Sequence, residues 1–139
     1  MFSHICLGTN NLSESMAFYD QVMPVLGVSR QDTGDTYAGY GNQEDIGSGV
    51  NCLFIGNTFN GEPATVGNGV NIALLAQTRK QVVKFHQIAL ENGGQDEGAP
   101  GLRALVVSII LFHAGFQLLR QRQLCFNEFL FGDSFWKES

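Results

Sequence analysis

The chain has 139 residues, of which 44% are hydrophobic and only 15% charged, and its formal net charge is −5. That length suits one domain with a sizeable core, and so low a charged share implies surface hidden in a core or against a second subunit. No Lys/Arg run occurs, which excludes nucleic acid as a partner because phosphate binding needs a basic face.

The N-terminus, MFSHICLGTNN, lacks a basic leader followed by a long apolar stretch, so no secretory signal is expected and the location is expected to be cytoplasmic. Residues 2–8 read as a strand. Alternation places Phe2, His4 and Cys6 on one face and Ile5 and Leu7 on the other. Asn11 and Glu14 form a capping-box pattern, and Leu12, Met16, Tyr19 and Met23 recur at helical spacing with Phe18 and Val22. The spacing predicts a helix over 12–25, weakened at Pro24 and stopped at Gly27. Three short strands follow within VSRQ, DTYAGYG and VNCLFIG. The Gly-rich stretch 57–69 reads as a connection, and 70–76, VNIALLA, as the next strand.

Thr78 and Gln81 repeat the capping box, and Val82, Phe85, Ala89 and Leu90 form the buried stripe of a second helix that ends at Gly93 and Gly94. The order β-α-β-β-β, then β-α, is an internal repeat in which His4-Ile5-Cys6 corresponds to Asn71-Ile72-Ala73. The apolar stretch 104–119 is about 16 residues long, short of the ~20 that cross a membrane, and no membrane association is expected. Leu105, Ile109, Phe112, Phe116 and Leu119 lie at near-helical spacing there, against the β-branched Val106, Val107, Ile109 and Ile110, and the spacing predicts a helix. Cys6, Cys52 and Cys125 include no CxxC pair, which argues against a disulfide framework or zinc site.

Several of these pieces, in this order, resemble the vicinal-oxygen-chelate superfamily of glyoxalases, bleomycin resistance proteins and extradiol dioxygenases. They are Ser3-His4-Ile5, Asn11-Leu12, Ala17-Phe18-Tyr19, Gly67-Asn68-Gly69, the helix ending in Gly93-Gly94, and the run from Asp96 to Arg103. The resemblance covers residues 1–103. It implies an α+β fold of tandem βαβββ modules forming a curved mixed sheet in a single domain. Module one would span 1–58, module two 67–103, and an altered, partly helical tail 104–139. The family would close with a D-P-D-G-N turn and a last strand bearing a Glu; this chain has neither in that form. Its tail reads like a shifted reading frame, an expectation that the coding DNA tests.

Family enzymes commonly hold one divalent metal in the cup. The ligands are a His on the first strand, a His or Gln on the first strand of module two, and a Glu near the end. The resemblance carries the first onto His4. The second falls on Asn71, a poor ligand for such metals, and Glu128 is the one tail carboxylate near a plausible strand. A resident metal is therefore not expected, though a divalent ion at His4 is the alternative. The plainer readings are a hydrogen-bonded His4, an Asn71 satisfied within the sheet, His86 as a solvated or half-buried helix residue, and His113 as a buried or interfacial one. Cys6 shares a face with His4, but no third group orients a Cys–His nucleophile. Phe54, Phe59, Tyr37 and Tyr40 either line a pocket or fill a core. The reading that follows is a small-molecule-binding homodimer with His4, Cys6, Phe54 and Asn71 around its ligand. Its rivals are a metal-dependent lyase or dioxygenase, and an inactive interaction protein whose tail secures a dimer.

Overall fold

The computed structural model describes residues 2–42, 51–65, 72–104, 110–118 and 128–129. The first strand, β1 (His4–Gly8), leads through Thr9 into α1 (Leu12–Val22). Asn11 caps that helix, its side chain accepting from the Glu14 backbone N–H at 3.2 Å, while the buried Thr9 and Ser15 hydroxyls lie 2.7 Å apart and tie the entry loop to the first turn. Pro24 tightens the helix end into a 3-10 turn over Met23–Leu26, and Gly27 leaves it at a φ of 76°, a left-handed conformation that costs glycine nothing. The expected helix over 12–25 is thus α helix followed by 3-10 turn.

The three short strands form where alternation and turns place them: β2 (Ser29–Thr33), β3 (Tyr37–Gly41) and β4 (Cys52–Gly56). They make one sheet in the order β1-β4-β3-β2, with β1 parallel to β4 and the other pairs antiparallel. One face carries Ala38, Tyr40, Leu53 and Ile55 into the core against Phe18, Tyr19, Val22 and Met23. At roughly 1.5–3 kcal/mol for each large apolar side chain buried, this layer fixes which face of the sheet is closed. The Tyr40 hydroxyl donates to Asp20 Oδ1 at 3.0 Å, and Arg30 pairs with the same carboxylate at 3.1 Å. Tyr40 is therefore a core residue that also borders two cavities, and Phe59 is fully exposed, apart from the other aromatics.

The second helix, α2 (Arg79–Glu91), starts with the full Thr78/Gln81 capping box and buries Val82, Phe85, His86 and Ala89. Gln81 also donates to the Val25 carbonyl at 3.1 Å, joining its first turn to the 3-10 turn. His86 is more enclosed than the solvated or half-buried residue expected: it is 7% exposed, and its Nε2 lies 3.1 Å from Asp96 Oδ1. After Gly93 come β5 (Gly94–Ala104), β6 (Ile110–Leu118) and the two-residue β7 (Glu128–Phe129), all antiparallel, in the order β5-β6-β7.

Two further expectations are corrected. Over Ile110–Leu118 the chain is a strand, not a helix, its backbone satisfied by a long ladder to β5. An apolar run with β-branched residues carries no decisive period, and the partner strand decides it. Residues 105–109 and 119 lie outside the described residues. Residues 72–76 are not a strand, although burial alternates from exposed Leu75 to buried Ala76. By the internal repeat this segment corresponds to β1, whose ladder partner is the fourth strand of its module. The corresponding fourth strand is β7, only two residues long, and it pairs with β6. Among the described residues, the segment 72–76 therefore has no ladder partner of the kind that makes β1 a strand.

Candidate functional site

Residues facing each other across a ladder share a face. The registers His4↔Cys52, Cys6↔Phe54, Gly39↔Phe54 and Tyr37↔Gly56 put all of these on the face of the first sheet turned away from the core. Asp32 joins them through a bulge. The register steps from Arg30↔Tyr40 to Asp32↔Gly39, so Arg30 points to the core side and Asp32 to the open face. Strict alternation would have placed both on one side; the extra residue re-aims the carboxylate.

The structure brings three of the expected site residues, His4, Cys6 and Phe54, onto this open face. His4 and Cys6 are exposed, and Phe54 is half-buried. The His4 ring meets the Phe54 ring edge-on, with centroids 5.7 Å apart and an interplanar angle of 88°. On the other side of Phe54 stands Tyr37 at 6.1 Å and 60°. The result is an aromatic row of imidazole, phenyl and phenol, the arrangement favoured by ring quadrupoles. The Tyr37 hydroxyl donates to Asp32 Oδ2 at 3.0 Å. That hydrogen bond, then the carboxylate's charge, raises the phenol's pKa above its ordinary 10.0. The Ser3 hydroxyl lies 2.9 Å from His4 Nδ1.

Glycines let the row lie close to the sheet. A Cβ on Gly39 would fall 2.7 Å from Phe54 Cε1 and 3.5 Å from the Asp32 Cβ, so both side chains converge over that backbone. A Cβ on Gly56 would fall 2.8 Å from the Thr36 carbonyl oxygen and 3.1 Å from the Tyr37 Cβ.

Two cavities adjoin the row. The smaller, about 170 Å³, is lined by Gln31, Asp32, Gly39, Tyr40, Gly41, Cys52 and Phe54. The larger, about 610 Å³, lies at the N-terminal ends of β1 and β4, where His4, Asn51 and Cys52 meet the apolar Met23, Leu26 and Leu74. His4 lines the larger, Phe54 the smaller, and Cys52 both.

Among the described residues no three His, Cys, Asp or Glu side chains converge. Glu128 belongs to β7, opposite His113 of β6 in the second sheet. Asn71 lies outside the described residues. Asp32 is the member that sequence reasoning passed over, whereas Tyr37 was among the aromatics expected to line a pocket or fill a core. Asp32 stands among turn-forming residues, DTGD, and only the bulge gives it a direction.

No protein-family model matches the sequence, and no curated protein matches it. Solved structures do. A glyoxalase/bleomycin resistance protein from Albidiferax ferrireducens T118 is similar at a TM-score of 0.80 and 29% identity, over 93% of this chain and 98% of that one. A glyoxalase/bleomycin resistance protein/dioxygenase family enzyme from Burkholderia phytofirmans PsJN is similar at 0.65 and 15%, over 93% and 98%. A glyoxalase-related enzyme from Fulvimarina pelagi is similar at 0.60 and 15%, over 95% and 88%. Among the described residues no helix is long and apolar enough to cross a membrane.

Proposed function

We infer, from a chain that has the vicinal-oxygen-chelate fold of the glyoxalase, bleomycin resistance and dioxygenase proteins, that it binds a small organic molecule on the open face of its first sheet. The carrying observation is the row His4–Phe54–Tyr37, laid over a glycine floor beside two cavities. Aromatic rings held close to a sheet and left half-exposed offer apolar contact at little entropic cost. Cavities of this kind, apolar with a few convergent polar groups, are where small ligands bind. The names of the fold relatives support sequestration or detoxification as the role. A homodimer fits the same reading, because among the described residues β1 is an edge strand whose outer side invites pairing.

The test is a thermal-shift screen of the full chain against small aromatic and thiol compounds, repeated with Phe54→Ala. A ligand at about a hundredfold its Kd stabilises by roughly 2.7 kcal/mol, a clear rise in melting temperature. A hit that survives Phe54→Ala unchanged would place binding elsewhere, and a screen without hits would reject the reading. Sedimentation equilibrium decides the dimer.

A further inference from the structure

We propose that the corner formed by Asp32, Phe54 and Tyr37 receives the positively charged end of an organic ligand, a quaternary or protonated amine. The proposal rests on the small-molecule reading above and adds the ligand's charge.

The argument begins with charge. Of the described side chains lining the two cavities, Asp32 is the one Asp, Glu, Lys or Arg, and it is an acid. Its counterpart Asp20, on the core side, is neutralised by Arg30 at 3.1 Å. Asp32 has no such partner: no Lys or Arg among the described residues pairs with it. Its neighbour is the Tyr37 hydroxyl, which fixes the carboxylate in place without cancelling its charge. The bulge between Arg30 and Asp32 separates these two roles by turning one side chain inward and the other outward.

The second part is the aromatic surface. Phe54 and Asp32 both lean over Gly39, so a group resting in the 170 Å³ cavity touches ring and carboxylate together. A ring quadrupole attracts a cation, most strongly where water is partly excluded. An anion meets the carboxylate and the negative ring face, and is repelled by both. A neutral ligand gains only the ring contact. The cavity's size suits a headgroup such as an alkylammonium, with the rest of the ligand running along Phe54 towards His4.

The probes are three benzyl or phenyl compounds of one size: benzyltrimethylammonium, benzyl alcohol and benzenesulfonate. Calorimetric titration of the full chain should find the cation about tenfold tighter than the alcohol, and the sulfonate weakest. In Asp32→Asn, which preserves an acceptor for Tyr37, the cation's advantage should vanish while the alcohol's Kd stays within about twofold. Raising salt from about 50 to about 500 mM should weaken only the cation. Equal binding of cation and alcohol overturns the proposal and leaves the small-molecule reading standing. So does a cation preference that survives Asp32→Asn. Binding by none of the three overturns it as well, and the broader screen then decides the parent reading by itself.

Discussion

The Phe54 ring lies against the backbone of Gly39, where an added Cβ would stand 2.7 Å from Phe54 Cε1. The obstruction is a half-exposed ring that can swing aside. Gly39→Ala should therefore cost little stability, about 1 kcal/mol, near the lower end of the overpacking range. It should weaken ligand binding at least severalfold, because the ring it displaces is the binding surface. Gly56→Ala is the contrasting case. There the obstruction is the Thr36 carbonyl oxygen at 2.8 Å, a backbone atom, and the strand must shift. Melting curves should show a larger loss of stability for Gly56→Ala than for Gly39→Ala. The reverse order would mean that Phe54 is not free to move.

Tyr40 predicts an alkaline limit. Burial, then its bond to Asp20, raises its pKa well above the ordinary 10.0. With the folded value raised, stability is fully present below pH 10. It falls as pH rises further, because the unfolded chain ionises there and the native one does not. The slope for one such proton is at most about 1.4 kcal/mol per pH unit. Melting temperatures from pH 8 to 11 should fall in the native protein and fall less in Tyr40→Phe. Equal slopes would mean that other tyrosines carry the effect.

Asp96 gives the opposite limit. The Gly98 backbone N–H at 2.9 Å, then the hydrogen bond from His86, lowers its pKa below the ordinary 3.8. With the folded value depressed, the contribution is present above pH 3.8 and is lost as pH falls through the folded value. Asp96→Asn should remove that part of the acid sensitivity, and acid titrations followed by circular dichroism would check it. An unchanged acid midpoint would show that Asp96 is not among the groups that govern it.

The parts legible in the sequence were those set by local rules. The caps Asn11 and Thr78 and the stripes through Phe18, Val22, Val82 and Phe85 marked both helices, and alternation gave His4 and Cys6 one face. The fold resemblance rested on the same pieces, and the similar structures agree with it. What escaped depends on distant partners. Ile110–Leu118 is a strand because β5 lies beside it, and 72–76 forms no ladder although its burial alternates. Asp32 escaped for a local reason of another kind: one bulged residue reverses the face of everything after it, and no composition signal marks the spot. Charge at the site was therefore invisible until the register was known, whereas its aromatic and imidazole members were not.

The tail's contribution to stability can be measured directly. β6 pairs with β5 from Gly94↔Leu118 to Ala104↔Ile110, and α2 packs beside both strands. A chain ending at Ala104 keeps β5 but strips it of its ladder, leaving unpaired N–H and C=O groups along an eleven-residue strand. Such an edge recruits other chains. The truncated protein should therefore be mostly insoluble, and any soluble fraction should lose amide exchange protection in β5 while retaining it in β3 and β4, whose ladder is independent of the tail. Soluble expression with protection in β5 unchanged would mean that the second sheet is not what holds that strand, and that its packing with α2, itself seated on α1 and the 3-10 turn, suffices.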